Sequence, residues 1–326
     1  MIKVTVIIPT VNRATCLRKA LISVQNQSLP MDAYEIIVVD NNSTDNTPQV
    51  VDECNKNGNK QVIYIKEPRI GLHNARHAGA KSAKGEILAY IDDDVICDAN
   101  WLSELIKPYS DPKVGCVGGK ILPEWESKPP RWVKYYSDFL SILDRADSVI
   151  EIQDEGIYGS NFSIRKDVLY TCGGFNPDAM ARDLIRYRGD GETGLLAKAK
   201  TNGYLIIYTP FACVRHIIPR ERLTIEYFKE RAFIQGISNS YAFIRRNNGL
   251  ECKKHMILFK RILKSLLSTS LRYLSYHRYI LKGQLDYVVY SELAYRYHVK
   301  GTKFHRREVL ADEKLLDHVL QESYLS

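Results

Sequence analysis

The stretch Gly-Glu-Ile-Leu-Ala-Tyr-Ile-Asp-Asp-Asp at residues 85–94 joins a short apolar run to three adjacent carboxylates. The apolar run predicts a buried strand. Three neighbouring anions repel one another unless a cation compensates them. Because ligands of open α/β sheets gather at the carboxyl ends of strands, the position favours a divalent cation held by carboxylate oxygens. A solvated acidic turn that caps the next helix is the alternative.

Side chains alternate along an extended chain, so the three carboxylates are not equivalent. Asp92 and Asp94 are expected on one side and Asp93 on the other. The predicted working unit is therefore Asp-x-Asp.

Strands and helices alternate on either side of this stretch. Continuous apolar strands alternating with helices indicate an α/β fold with a mostly parallel sheet flanked by helices. Residues 123–156 are rich in Pro, Trp and Tyr without a clear period, and we interpret them as a long active-site flap or subdomain with short helices. The pattern is helical after Pro219, which predicts a helical C-terminal extension. The predicted strands are residues 3–9, 34–39, 61–66, 87–91, 114–121, 159–164 and 204–208, and helices include 72–82, 101–109, 166–172 and 191–201.

The composition is that of a globular protein with one large or two modest domains: 326 residues, 45% apolar and 26% charged. Seven scattered cysteines, never spaced Cys-x-x-Cys, argue against zinc or a disulfide framework and favour a reducing compartment. The N-terminus begins directly with a strand pattern, so no signal peptide is expected. The expected location is cytoplasmic, peripheral to the inner face of the membrane.

The positive charge is concentrated in residues 220–326, which hold 20 Lys and Arg against 11 Asp and Glu. In residues 256–267, apolar side chains fill one broad side and Lys260, Arg261 and Lys264 the other. Helices packing on the catalytic domain or on another subunit, as in a homo-oligomer, are one interpretation. A surface lying on an anionic membrane is a second. Nucleic acid is the least favoured partner, because no recognised binding motif accompanies the charge.

Several polar residues follow the predicted strands. Asp40 could accept a hydrogen bond from a base, although a helix-capping role explains it equally well on its own. Arg13, Arg69 and Arg76 carry guanidinium groups that suit phosphate, although single surface arginines are usually only solvated. Their shared position at the carboxyl edge of the sheet, beside Asp92, favours a nucleotide site.

Residues 189–194 spell Gly-Asp-Gly-Glu-Thr-Gly, a literal match to the dinucleotide-binding pattern. The preceding residues are charged rather than strand-like, and two carboxylates stand where pyrophosphate would lie. We interpret the segment instead as a glycine-supported loop that presents Asp190 and Glu192 into a cleft.

Together these motifs resemble the family 2 glycosyltransferases of GT-A fold. The resemblance covers about residues 3–216, and the series of motifs in this order is far more specific than any one of them. The matching stretches are residues 6–13, 37–45, 71–76, 83–94, 159–162 with 173–175, and 191–192 with 202–204.

The resemblance implies a nucleotide-sugar donor and a divalent cation, Mn²⁺ or Mg²⁺. Its members usually carry Glu-Asp at the catalytic-base position, which here is Gly191-Glu192, so Glu192 would be the base and Asp190 could share the role. The implied metal ligands are Asp94, Asp92 and His216, and the sugar side would involve Gly159, Ser160 and Asn161. The nucleotide-binding residues would be Pro9, Thr10, Asn12, Arg13, Asp40, Asn42, Arg69, Arg76, Asp92 and Asp93.

The implied reaction is a single displacement with inversion, from a donor that is most often UDP-linked to a glycan or lipid-linked acceptor, in cell-surface polysaccharide synthesis. Residues 1–219 would form the catalytic domain (1–122 for the donor, 123–219 for the acceptor), and 220–326 the basic helical region. One alternative is a sugar-nucleotide pyrophosphorylase, but residues 9–13 lack the glycines of a phosphate loop. A non-catalytic carbohydrate- or nucleic-acid-binding protein is the other, and the intact Asp92, Asp94 and Glu192 argue against it.

Overall fold

The computed structural model describes residues 2–153, 156–249, 276 and 279–325. The chain forms two compact units. The first comprises Met1–Glu126, Ser141–Pro219 and Glu322–Ser326, and the second comprises Ser127–Leu140 and Arg220–Gln321. The amphipathic stretch predicted at residues 256–267 lies outside the described residues.

A nine-stranded sheet forms the centre of the described part of the first unit. The spatial order is β3-β2-β1-β4-β8-β6-β9-β5, and β7 pairs with β9. This arrangement confirms the predicted α/β class. The strands are β1 (Val4–Thr10), β2 (Tyr34–Asp40), β3 (Val62–Lys66), β4 (Ile87–Tyr90), β5 (Val95–Cys97), β6 (Val114–Trp125), β7 (Ile150–Glu151), β8 (Phe162–Arg165) and β9 (Leu205–Ile218).

The sheet is parallel in its first half and mixed in its second. Strand β1 lies between β2 and β4, with β3 outside β2, and all four run parallel. Beyond β4 the direction reverses, because β8 is antiparallel to both β4 and β6. The prediction of a mostly parallel sheet therefore describes β3-β2-β1-β4, whose carboxyl ends share one edge.

Helices cover the sheet of the first unit through apolar faces. In α1, for example, Leu17, Leu21 and Val24 recur at the spacing of one helix face, and all three are fully buried. Burying this face removes apolar surface from water, which is the main force that fixes the helix on the sheet. The helices are α1 (Ala14–Gln25), α2 (Thr47–Asn57), α3 (Leu72–Ser82), α4 (Trp101–Ile106), α5 (Lys166–Thr171) and α6 (Gly191–Thr201).

Two predicted elements of the first unit that carry site residues differ from the structure. Gly159–Asn161 forms a 3₁₀ turn, and the strand predicted to begin at residue 159 begins only at Phe162. Strand β9, predicted to end at residue 208, continues through Pro210 to Ile218 because its second half pairs with both β5 and β6. This extension places His216 inside the sheet.

The described part of the second unit is helical, which confirms the predicted helical C-terminal extension. Its long helices are α7 (Ile225–Arg246), α8 (Leu285–Ala311) and α9 (Glu313–Leu320). Helices α7 and α8 approach closely at Gly236 and Gly301, where backbone contacts backbone. None of the helices in the described part of the chain combines the length and apolar character needed to cross a bilayer.

Candidate active site

Asp93 and Asp94 lie in a turn after β4, and Asp92 precedes it. One nitrogen of Arg13, Nη1, donates to Asp93 Oδ1 and to Asp94 Oδ2, each at 2.8 Å. Thr10, the last residue of β1, donates its hydroxyl to Asp93 Oδ2 at 2.7 Å. Asp93 and Asp94 therefore share the guanidinium of Arg13, whereas Asp92 faces that of Arg76.

Burial changes the acidity of this turn. Removal from water disfavours a carboxylate, and it raises the pKa of Asp93 to about 7 against the opposing effect of Arg13. Burial likewise raises the pKa of Asp92, opposed chiefly by Arg76. Both shifts favour the protonated carboxyl, whereas a bound cation would favour the carboxylate.

His216 reaches the same turn from β9. Its Nε2 lies 3.3 Å from Asp94 Oδ2, and both side chains are buried. A carboxylate and an imidazole at one point are suitable donors for Mn²⁺, whose remaining positions can be filled by phosphate oxygens and water. Among the described residues, however, no group of three or more His, Cys, Asp and Glu side chains is arranged to hold a metal ion. Asp94 and His216 supply two donor atoms of the kind that such a cation accepts.

Asp92 faces Arg76 of α3. The Arg76 Nη2 atom lies 3.6 Å from Asp92 Oδ1, and its Nη1 atom lies 3.3 Å from Glu192 Oε2. The other oxygen of Glu192, Oε1, accepts the backbone N–H of Gly159 at 3.0 Å. A single guanidinium thereby connects the acidic turn to the candidate base. The candidate base in turn binds the Gly159 turn.

Glu192 and Asp190 flank the beginning of α6 and have different surroundings. Gly191 between them has φ +52°, a conformation that glycine adopts without strain. Asp190 Oδ1 accepts a hydrogen bond from Asn176 Nδ2 at 2.6 Å. The arrangement joins Glu192, but not Asp190, directly to Arg76.

The predicted nucleoside side is built on the ends of β1 and β2. Asp40 is buried and accepts hydrogen bonds from Tyr64 Oη at 2.5 Å and from the Ser43 N–H at 2.7 Å. Asn12 accepts the Thr44 N–H at 2.7 Å, which closes the two loops over one another. Pro9 pairs with Val39 in the parallel ladder.

Asn42 and Arg69 are engaged locally. Asn42 lies in the left-handed region at φ 70° and donates to the Pro68 carbonyl at 2.8 Å. Arg69 donates to both oxygens of Glu67, at 2.9 and 3.0 Å, and half of its side chain is exposed. Arg69 would have to break its hydrogen bonds with Glu67 in order to bind a phosphate.

The Gly159–Asn161 turn contains two buried polar side chains that differ in their bonding. Asn161 accepts from Trp101 Nε1 at 2.8 Å and donates to the carbonyls of Lys120 and Ala212 at 3.0 and 2.9 Å. Ser160 is equally buried, yet its hydroxyl has no hydrogen-bond partner among the residues that the structure describes. Asn161 is thus fully used by the fold, whereas Ser160 keeps its hydrogen-bonding capacity.

Some of the residues that shape the site were not predicted. Arg188 forms an ion pair with Asp178 at 2.6 Å, and Asp178 packs against Gly191. Tyr64 supports Asp40 from β3, and Trp101 supports Asn161 from α4. The charged run at residues 182–188 was the one available signal for Arg188. Nothing in the sequence marks the two aromatic donors.

Comparison with known proteins gives the chain its family. The profile of the family described as Glycosyl transferase family 2 matches residues 5–173, more than half of the chain. The chain belongs to glycosyl transferase family 2. Membership confirms the resemblance inferred from the motifs.

Two relatives from Haloferax volcanii share this family 2 region. The chain is 25% identical over 179 residues to glucosyl-dolichyl phosphate glucuronosyltransferase, covering 54% of this chain and 57% of that protein. It is 34% identical over 118 residues to glycosyltransferase AglE, covering 36% of this chain and 39% of AglE. The chain thus spans less than two thirds of the length of either relative.

A solved structure resembles this family 2 chain over most of its length. Mannosyltransferase PcManGT from Pyrobaculum calidifontis, in complex with GDP-Man and Mn²⁺, has a TM-score of 0.61 at 20% sequence identity. The likeness covers 92% of this chain and 86% of PcManGT. It confirms the predicted GT-A-type fold.

Proposed function

We propose that this chain is an inverting glycosyltransferase that uses a nucleoside diphosphate sugar, UDP-linked in the first instance, to glycosylate a glycan or lipid-linked acceptor in cell-surface polysaccharide synthesis. The observation that carries the proposal is the connected set of Asp92, Arg76 and Glu192, which joins the acidic turn to the candidate base. Membership of glycosyl transferase family 2 supports the reaction class. A relative named for a glucosyl-dolichyl phosphate substrate and a similar solved structure that holds GDP-Man support this type of acceptor and donor.

The donor nucleoside is assigned to the ends of β1 and β2. Asp40 is the proposed acceptor for a base N–H, which uracil and guanine both offer, and Asn12, Asn42 and Thr10 line the same edge. Arg13 and Arg69 are the proposed contacts to phosphate, because a guanidinium fork matches phosphate geometry.

The proposed cation ligands are Asp94, Asp92 and His216. When bound there, Mn²⁺ or Mg²⁺ would act as a Lewis acid that stabilises the leaving diphosphate. Asp94 and His216 already lie together, and Asp92 is one third exposed next to them. The role of the protein would be to hold Asp94 and His216 together, while Arg13 compensates the charge of Asp94 in the absence of a cation.

Glu192 is the proposed general base. Gly159 and Arg76 hold its two oxygens, and 17% of the side chain remains exposed, so that an acceptor hydroxyl can reach it. A carboxylate that removes the hydroxyl proton on the face opposite the leaving group gives one displacement with inversion. Asp190 would then stabilise the loop, and Gly159 and Ser160 would face the transferred sugar.

We assign catalysis to residues 1–219 and propose that residues 220–326 contribute the acceptor or surface contact. The net positive charge of this region supports an anionic partner such as a membrane surface. The cytoplasmic, membrane-peripheral location of the protein and a homo-oligomeric state stay predictions.

Steady-state assays of the full chain test the assignment. UDP-, GDP- and dTDP-sugars are first screened by thermal shift with and without Mn²⁺, and the stabilising donor is then used to measure nucleoside diphosphate release. Glu192→Gln is expected to lower kcat by about 10² to 10⁴-fold while the affinity for the nucleotide is retained, because general-base catalysis contributes about that much. Asp94→Asn should weaken nucleotide binding only when Mn²⁺ is present.

Glu53→Gln on the exposed face of α2 is the matched control and should behave as the wild type. Near-normal release by the Glu192→Gln enzyme would remove Glu192 from the mechanism, and loss with Asp190→Asn instead would transfer the role to Asp190. Formation of a nucleotide sugar from a sugar phosphate and a nucleoside triphosphate would identify a pyrophosphorylase.

A further inference from the structure

Arg76 is a deeply buried charged side chain that contacts the proposed site. Only 2% of its side chain is exposed. A buried charge is costly unless opposite charges compensate it, and breaking such a pair is strongly destabilising. Its two terminal nitrogens are directed at different carboxylates, Nη2 toward Asp92 and Nη1 toward Glu192. So little exposed surface makes a nucleotide phosphate a poor partner for this arginine.

The surroundings of Arg76 fit a guanidinium closely. Its Cζ lies 5.0 Å from the centre of the Phe175 ring, within range of a cation–π interaction. On another side lies Gly159, where an added Cβ would come within 2.0 Å of Arg76 Nη2. A side chain at position 159 would therefore displace the guanidinium.

Gly159 and Arg76 hold the same carboxylate from two directions. The Gly159 N–H binds Glu192 Oε1 at 3.0 Å, and Arg76 Nη1 binds Oε2 at 3.3 Å. With each oxygen held separately, the carboxylate plane has little freedom to rotate. The same guanidinium also fixes the distance between Glu192 and the acidic turn through Asp92.

We propose that Arg76 is a positioning residue: it touches neither substrate, and it sets the orientation of the Glu192 carboxylate relative to the donor site through its paired contacts with Glu192 and Asp92. The proposal rests on the proposed function of Glu192. Lysine cannot replace arginine in this role, because a single ammonium lacks the planar fork that spans two carboxylates.

Kinetics of the Arg76→Lys enzyme, which keeps the charge, test the proposal with the donor selected by the thermal-shift screen. A misplacement of reacting groups by about 1 Å can cost about 100-fold in rate, so kcat is expected to fall by about that factor. The KM for the donor and the Kd for the bare nucleotide with Mn²⁺ should stay at their wild-type values. Gly159→Ala, which displaces the guanidinium without changing any charge, should lower kcat by a similar factor.

A double-mutant cycle separates positioning from general weakening. If Arg76 acts through Glu192, adding Arg76→Lys to Glu192→Gln should leave kcat where Glu192→Gln alone places it. Arg18→Lys is the control, because Arg18 of α1 forms an exposed ion pair with Glu53 of α2. This substitution should leave kcat and KM unchanged. An Arg76→Lys enzyme with wild-type kcat, or effects of the two changes that multiply, would overturn the proposal.

A crystal structure of the Arg76→Lys protein gives a result that does not depend on turnover. The Glu192 carboxylate should leave its position beside the Gly159 N–H, and an unmoved carboxylate would contradict the proposal whatever the kinetics. If the wild type released no nucleoside diphosphate from any donor, the proposed function would fail, while a displaced Glu192 would still support the positioning contact. If Arg76→Lys does not fold, Gly159→Ala is used for both measurements.

Discussion

Ser160 and Asn161, neighbours in the Gly159–Asn161 turn, differ in whether the fold satisfies the hydrogen bonds of their side chains. All the donors and the acceptor of Asn161 are engaged within the first unit, by Trp101 and two backbone carbonyls. Ser160 is also buried, but its side-chain hydroxyl makes no hydrogen bond in the described part of the chain. Because an unmade buried hydrogen bond is costly, natural structures seldom keep one without a reason. The sugar of the donor, or an ordered water, would supply the missing partner.

Asn161→Ala and Ser160→Ala should therefore differ in which property they change. Asn161→Ala leaves an indole N–H and two carbonyls without partners, and the free energy of unfolding should fall by about 3 kcal/mol. Ser160→Ala removes no hydrogen bond of the fold, so its stability should match the wild type, whereas the KM for the donor should rise. Urea denaturation and donor kinetics provide the two measurements. Equal stability of both variants would contradict the structural role of Asn161.

The bounds of helices and strands were predicted well where local sequence signals determine them, and poorly where pairing with distant strands does. The predicted helices at residues 72–82 and 191–201 have the same bounds as α3 and α6, since Gly71 lies immediately before the first and Asn202-Gly203 follows the second. The end of β9 was missed because Pro210 interrupts the strand pattern and only pairing with distant strands extends it.

The candidate site follows the same rule. The family resemblance implied that Asp94 and His216 belong to one metal site, and their side chains do lie together. The contact between Arg76 and Glu192 joins residues 116 positions apart and has no local pattern. Which carboxylate each arginine selects depends on packing, which one sequence does not reveal.

The crossing of α7 and α8 in the second unit depends on two glycines. An added Cβ at Gly301 would lie 1.9 Å from the Phe233 carbonyl oxygen, and one at Gly236 would lie 2.0 Å from that of His298. In an unconstrained helix, Gly→Ala stabilises by about 1 kcal/mol. Gly301→Ala should instead lower the melting temperature, because the helices must separate to admit the methyl group.

Lys303→Ala, at an exposed position two residues further along α8, is the control and should have little effect. Thermal unfolding followed by circular dichroism measures both variants. A Gly301→Ala protein more stable than the wild type would mean that helix propensity outweighs the close contact.

Across the whole molecule, each unit encloses a buried histidine. Burial lowers the pKa of His77 in the first unit to about 3, helped by the nearby His73 and Lys81. Burial also lowers the pKa of His305 in the second unit to about 4. Both imidazoles are used as neutral hydrogen-bonding groups: His77 Nε2 accepts the Phe175 N–H at 2.9 Å, and His305 Nδ1 lies 3.1 Å from Ser240 Oγ.

These shifts make the folded chain sensitive to acid. An unfolded histidine takes up a proton below about pH 6.5, whereas folded His77 does so only near pH 3, so the unfolded state binds more protons in between. The stability that His77 provides is complete above about pH 6.5 and is lost as the pH falls, by about 2 kcal/mol at pH 5. His77→Gln keeps an acceptor for the Phe175 N–H but does not titrate. The difference in unfolding free energy between wild type and His77→Gln, measured in urea, should therefore shift in favour of the variant by about 2 kcal/mol between pH 7 and pH 5. Since other groups titrate alike in both proteins, a difference that stays constant with pH would show that His77 is protonated as readily in the folded state as in the unfolded one.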